Sequence, residues 1–169
     1  FACGLEGGAI HVHGDAANNA VGSLPGDRQG MTGGRVIIDG SVGALAGSRM
    51  RRGLLAIGGN AGDATGFELL AGTILVAGQP GPHTGLGMRR GSIVLLGTKS
   101  FCHEASTYIP PTFLQGGIWR PTFMALLGRH LVNTGFSAAR KTAWRDPWQQ
   151  WHGDSLAGCR GEILTPANA

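Results

Sequence analysis

The chain has 169 residues, a formal net charge of +4, a hydrophobic content of 42% and 31 glycines. This hydrophobic content argues against disorder, and the length suits one domain with a sizeable core. The charge favours anionic partners, but the sequence lacks the dense lysine and arginine blocks of nucleic-acid binders. No run of about 18 apolar residues is present. We therefore expect neither a nucleic-acid partner nor a membrane span.

The cysteines are Cys3, Cys102 and Cys159, an odd number without a CxxC pair. They indicate free thiols in a reducing compartment, so we expect a cytoplasmic protein without a disulfide frame or a zinc site. The chain begins at Phe1, close to strand-like sequence, and we expect a further N-terminal part.

Glycines recur at every nineteenth position in the first two thirds of the chain, which indicates a repeat architecture. One series is Gly34, Gly53, Gly72 and Gly91, and three more keep the spacing: Gly40, Gly59, Gly78 and Gly97; Gly47, Gly66 and Gly85; Gly43, Gly62 and Gly81. An earlier, looser copy starts at Gly8, and its interval to the next copy is longer because SLPGDRQ (23–29) is inserted. Glycine steps of six, seven and six residues predict a three-sided coil with glycine corners. The sequence therefore predicts a parallel β-helix over residues 1–100, with residues 101–169 as a partly helical capping and docking segment.

Apolar side chains form columns across the repeats. Two predicted interior columns are Ile10, Val36, Leu55, Ile74 and Ile93, and Val12, Ile38, Ile57, Val76 and Leu95. The column between them should face outward, yet it is mostly apolar: His11, Ile37, Ala56, Leu75 and Val94. Either the C-terminal segment of the chain or a partner subunit should cover it.

Two other repeat classes fit the sequence less well. GGNAGDATG (58–66) is similar to the repeat of calcium-binding β-rolls, but Asp63 is replaced by Ala44 and Pro82 in the neighbouring repeats. Left-handed hexapeptide helices have an aliphatic residue at every sixth position. The seven-residue step within each repeat of this chain does not fit that spacing.

Beyond Gly97 the period ends and helical spacing begins. TFMALLGRHLVNTGF (122–136) has apolar residues at helical intervals after Pro121, which suits a helix start. Trp144, Trp148 and Trp151 have the spacing of one face of a further helical turn, and such aromatics more often pack than bind a ligand.

Three short motifs could bear chemistry. His11 and His13 share a strand face, as in some metal sites, but Asp39 is their only neighbour with a ligating side chain, so we predict no metal. Cys102–Glu104 could pair a thiol with a base, but consecutive residues rarely face each other. GLGMRRG (85–91) departs from both the phosphate loop and GxGxxG, and the repeat accounts for its glycines. We predict no catalytic residue among them.

Arginine pairs are more informative. Arg51 and Arg52 return two repeats later as Arg89 and Arg90, with Leu70 and Ala71 at the intermediate positions. Guanidinium groups about 10 Å apart could receive the carboxylates of a partner or of an acidic cofactor tail. A solvated basic rim is the alternative.

The glycine-repeat coils, the MRRG corners (50–53 and 88–91), a following PTF and the late GDSLAGCRGEIL (153–164) together resemble the C-type subunit of formylmethanofuran dehydrogenase and its relative in the bacterial formyltransferase/hydrolase complex. Both are similar to the C-terminal glycine-repeat domain of the glutamate synthase large subunit. The resemblance covers nearly the whole chain. Alanine, arginine and histidine usage with few lysines favours a bacterial, methylotrophic source.

The resemblance implies a right-handed β-helix that is a non-catalytic scaffold subunit in one-carbon metabolism, with no cofactor bound alone. Its expected partners are a formyltransferase and an amidohydrolase-like subunit, and Arg51, Arg52, Arg89 and Arg90 could help to hold a methanofuran-type carrier. Two alternatives stay open. One is an independent metal- or thiol-dependent enzyme using His11, His13 or Cys102; the other is a glutamate synthase fragment.

Overall fold

The structure is a computed structural model that describes residues 1–97 and 107–167. Its strands are β1 (Ala9–Val12), β2 (Arg35–Ile38), β3 (Leu54–Ile57), β4 (Thr73–Val76), β5 (Ser92–Leu95), β6 (Leu114–Trp119), β7 (Trp148–His152) and β8 (Glu162–Pro166). The helix α1 spans Thr122–Asn133, and two short 3₁₀ helices span Ser137–Lys141 and Ser155–Ala157. In the described part of the chain, no helix has the length and apolar character needed to cross a membrane.

The strands form one open, mixed sheet in the order β1-β2-β3-β4-β5-β8-β7-β6. Strands β1 to β5 and β8 are parallel, whereas β7 runs antiparallel to both β8 and β6. After β5 the chain thus forms β6 at the far edge of the sheet and returns through β7 to β8, which lies beside β5. Strands β1 and β6 are the edges of this described sheet.

The predicted period is confirmed by the strand register. Val36 pairs with Leu55, Leu55 with Ile74 and Ile74 with Ile93, each one period apart, and Ile10 pairs with Val36 across the insertion. Each repeat therefore contributes one short strand, and equivalent side chains lie next to each other.

The prediction of a three-sided parallel β-helix is wrong, because within the described residues strands occur on one side of each repeat only. The remainder of each repeat consists of turns, with isolated bridges from Val42 to Ala16 and Ala61. Backbone hydrogen bonds still join the turns of neighbouring repeats, such as Gly66 N–H to the Ala46 carbonyl at 2.8 Å. The physical reason is local: alternate residues have positive φ, at 62° for Leu45, 67° for Gly47 and 52° for Arg49. Left-handed residues at this spacing interrupt an extended strand.

Two buried clusters lie on opposite faces of the parallel strands. One cluster contains both predicted interior columns together with a ladder from the turns, Met31, Met50, Leu69 and Met88. The other contains the predicted outward column from Ile37 to Val94 and residues of the C-terminal segment, among them Met124, Leu131, Phe136 and Trp148. The chain therefore covers its own outer apolar column, and a partner is not needed there.

The C-terminal predictions had mixed outcomes. The helix predicted from Thr122 is confirmed, although it ends at Asn133. The helical turn predicted for Trp144, Trp148 and Trp151 is wrong, since Trp148 begins strand β7. Pro147 explains this because proline lacks the N–H that a helix interior needs. Trp148 is 2% exposed and its ring lies 6.4 Å from that of Trp144, so these rings pack.

Candidate functional site

The predicted arginines lie at equivalent corners of two repeats. Met50 is fully buried, whereas Arg51 and Arg52 after it are exposed, and Gly53 with φ of 101° turns the chain into β3. Met88, Arg89, Arg90 and Gly91 repeat this arrangement, with φ of 95° at the glycine. The buried methionine anchors each corner and leaves the two arginines at the surface. We call Arg51, Arg52, Arg89 and Arg90 the arginine rim.

One repeat separates the two arginine pairs. Leu70 N–H donates to the Met50 carbonyl at 2.9 Å, and Arg89 N–H donates to the Leu69 carbonyl at 2.8 Å. The corners are therefore stacked two spacings apart, about 10 Å. The intermediate Leu70 and Ala71 carry no charge, so the rim consists of two separate basic points.

A cleft of about 850 Å³ lies beside one end of the rim. Arg89 and Arg90 line it together with Arg160, whereas Arg51 and Arg52 do not. Asp154 and Glu68 are its acidic lining residues. We call this the arginine cleft. The structure thus brings half of the predicted site residues together with an arginine from the C-terminal segment.

Asp154 joins the C-terminal segment to the repeat that carries the cleft. Its side chain, 1% exposed, accepts hydrogen bonds from Gly87 N–H at 2.8 Å and from Leu156 N–H at 2.9 Å. The loop that contains Arg160 is thereby held against the corner that contains Arg89. Buried polar groups are usually satisfied in this way, and the contact fixes the wall of the cleft.

The charges around the cleft are unevenly paired. Arg49 Nε donates to Glu68 Oε2 at 2.7 Å, so this carboxylate already has a cationic partner. None of the ion pairs formed within residues 1–97 and 107–167 involves Arg89, Arg90 or Arg160. Three guanidinium groups thus have no carboxylate partner in the described part of the chain, and their paired N–H donors suit an anion.

Sequence reasoning missed Asp154 and Arg160. Both lie within the motif GDSLAGCRGEIL, far from the rim in sequence. The last three residues of this motif, 162–164, begin strand β8 and pair with β5, and that pairing returns the segment to the last repeat. An extended apolar stretch at Ile163 and Leu164 was the available signal.

A second group of titratable side chains lies at the opposite edge of the parallel strands. His11 Nε2 is 2.9 Å from Asp39 Oδ1, and His13 Nδ1 is 2.7 Å from Asp39 Oδ2. The two imidazole centroids are 4.2 Å apart. The hydrogen bond from His11 and then that from His13 hold the pKa of Asp39 below its ordinary value, against the opposing effect of burial. One carboxylate therefore bridges both histidines, which the sequence indicated only for His13.

The thiol candidate is not brought into either site. Cys102–Glu104 lies outside the described residues. Cys3 and Cys159 are free cysteines, and Cys159 is exposed.

Comparisons with known proteins bear on the chain as a whole. No protein-family model matches it, and no curated protein matches it. A chain in the X-ray structure of the formyltransferase/hydrolase complex from Methylorubrum extorquens, in complex with methylofuran, is similar with a TM-score of 0.85 and 32% sequence identity. The similarity covers 98% of this chain and 58% of that chain. Nearly the whole chain is therefore similar in structure and sequence to somewhat more than half of one chain of that complex.

Proposed function

We propose that the chain acts as a subunit of a formyltransferase/hydrolase complex of one-carbon metabolism, in the cytoplasm. The similarity over 98% of the chain at 32% identity carries this proposal. In our proposal the chain is the C-type subunit, a scaffold that does not itself perform the chemistry. Its partners are a formyltransferase and an amidohydrolase-like subunit.

Strand β6 is the surface that we propose for docking a partner subunit, since the outer apolar column is already covered. It lies at a sheet edge, and its register shifts between Gln115 and Ile118. Leu114, Ile118 and Trp119 are 57%, 61% and 43% exposed. An apolar strand that no further strand of residues 1–97 and 107–167 pairs with is a template for contact with another chain, and tryptophan is enriched at the centres of interfaces.

We expect Ile118→Asp to prevent assembly while the chain itself stays folded. A charge placed in a desolvated interface is costly, and a loss of at least a hundredfold in affinity for the partner subunit is expected. The native mass of the reconstituted complex shows whether the partner subunit is still bound. Leu24→Asp is the matched control, because Leu24 is likewise exposed, at 51%, but lies in the inserted segment. Equal effects of the two substitutions, or none, would exclude β6 as the docking strand.

The arginine rim is where we propose that the subunit helps to hold a methanofuran-type carrier. The structure similar to this chain belongs to a complex solved with methylofuran. Arg89, Arg90 and Arg160, which form no ion pair within the described residues, support an anionic part of the ligand in the arginine cleft. Arg51 and Arg52 would extend the basic track by about 10 Å.

Reversing Arg89 and Arg90 to glutamate should weaken carrier binding by the assembled complex at least tenfold, since attraction becomes repulsion. Calorimetric titration of the complex with methylofuran measures this. Reversal of Arg51 and Arg52 should have a smaller effect. The control reverses Arg140 and Lys141, which changes the net charge equally but does not touch the cleft. Unchanged affinity in the Arg89 and Arg90 variant would reject the carrier site and leave the scaffold role standing.

The proposed function is tested by purifying the chain through a tag from the cells that produce it. We expect a stoichiometric assembly that transfers a formyl group to a methanofuran-type carrier and releases formate. A chain that runs as a monomer, or with subunits lacking these activities, would overturn the proposal.

A further inference from the structure

His11, His13 and Asp39 meet at the edge of the sheet because of strand register. Alternate residues of a strand point to the same face, so His11 and His13 lie on one side of β1. Val12 pairs with Ile38, and Asp39 N–H donates to the Val12 carbonyl at 2.9 Å, which continues the pairing beyond β2. Asp39 consequently lies beside His13 and reaches His11 with its second oxygen.

The donor atoms form a compact set. One ring nitrogen of His11, one ring nitrogen of His13 and one carboxylate oxygen of Asp39 all lie within 4.8 Å of one another. A tetrahedral ion with bonds near 2.1 Å requires donors about 3.4 Å apart. The observed N···O distances of 2.9 and 2.7 Å are slightly shorter, so small rotamer changes would open the set around an ion.

We propose that His11, His13 and Asp39 bind a borderline transition-metal ion, Zn²⁺ being the physiological candidate. Two imidazoles and one carboxylate suit zinc and its first-row neighbours, whereas Mg²⁺ and Ca²⁺ prefer sets of oxygen ligands. The site is independent of the arginine rim and of the proposed function.

The position of the cluster leaves room for further ligands. Strand β1 is one edge of the described sheet, and the side chains of His13, Asp39 and His11 are 77%, 34% and 27% exposed. Three protein ligands with a solvent-facing side leave at least one coordination position for water. Binding should consequently be reversible and should weaken as protons compete for the ligands.

The chain offers an internal control for a simple ion pair. His83 Nδ1 lies 2.9 Å from Asp63 Oδ1, a contact of similar length that involves a single histidine. An ordinary histidine–carboxylate pair explains that contact fully. The edge cluster differs by its second imidazole, which supplies a third ligand for a metal ion.

The test is titration of the metal-free full chain with Zn²⁺ in competition with a chromophoric chelator, followed by Co²⁺ absorption spectra. We expect one ion per chain. His13→Gln and Asp39→Asn should each lower the affinity at least tenfold and remove the visible Co²⁺ bands. His83→Gln should leave both measurements unchanged.

Circular dichroism of each variant tests whether the fold is kept. We expect that it is kept in His13→Gln, because the His13 side chain is 77% exposed. Absence of stoichiometric zinc in the folded wild-type chain would overturn the proposal and leave an ion-pair cluster. Binding that survives both His13→Gln and Asp39→Asn would overturn it equally, because the ion would lie elsewhere.

Discussion

Gly59→Ala should destabilise the fold by about 1–3 kcal/mol, whereas Gly14→Ala should change its stability by less than about 0.5 kcal/mol. These glycines occupy equivalent positions in different repeats. A Cβ at residue 59 would lie 2.5 Å from Ser41 Oγ and 2.7 Å from the Gly40 carbonyl carbon. Much of this clash is with backbone atoms. They cannot move away without breaking the hydrogen bond of 2.8 Å that Gly59 N–H donates to the Gly40 carbonyl. At Gly14, the first repeat, a Cβ meets no atom within 4 Å.

Thermal unfolding of the two variants measures this difference, and a shift of roughly 2–10 °C is expected for Gly59→Ala alone. Neither glycine has a positive φ, so the contrast isolates the closeness of adjacent repeats from backbone preference. Equal melting temperatures would contradict the close stacking. The same stacking sets the separation of the two arginine pairs, so a displaced repeat would also alter the rim.

The sequence predicts the repeat register well because its determinants are local and periodic. Glycines at close backbone approaches and aliphatic residues in the strand columns recur at one interval, and the pairing of Val36, Leu55 and Ile74 follows from that interval. The three-sided geometry was a different kind of inference. Glycine spacing gives the positions of corners but not the conformation between them, and positive φ at Leu45 and Arg49 has no glycine to indicate it.

Contacts between distant segments account for what could not be predicted from the sequence. Strand β8 joins β5 from far along the chain, as Glu162 pairs with Ser92, and no period relates them. The arginine cleft depends on this pairing, since it returns Arg160 to the corner that carries Arg89 and Arg90. This part of the site therefore rests on tertiary structure alone.

The edge cluster was partly visible in the sequence. Asp39 follows His13 by the same offset that relates β1 to β2, so the repeat places the two residues side by side. The contact between Asp39 and His11 could not be predicted in the same way, because it depends on side-chain geometry. Each carboxylate oxygen of Asp39 contacts a different histidine.

The cover over the outer apolar column decides which surfaces remain for partners. Leu75 and Val94 of the sheet share a buried cluster with Leu131 and Phe136 of the C-terminal segment. If that segment were to detach, the sheet would expose an apolar face of the kind that recruits other proteins. The proposal that β6 docks a partner therefore rests on α1 staying packed.

Leu131→Ala should lower the free energy of unfolding by about 2–5 kcal/mol, because it removes buried methyl groups and leaves a cavity between α1 and the sheet. Leu126→Ala is the matched control on the same helix, because Leu126 is 66% exposed whereas Leu131 is fully buried. Truncation of Leu126 should change the free energy of unfolding by less than about 0.5 kcal/mol. Chemical denaturation measures both. Similar small effects would mean that α1 does not cover the column in solution, and the column itself would then become the candidate docking surface. A large effect confined to Leu131 would leave β6 as the apolar strand that a partner must cover.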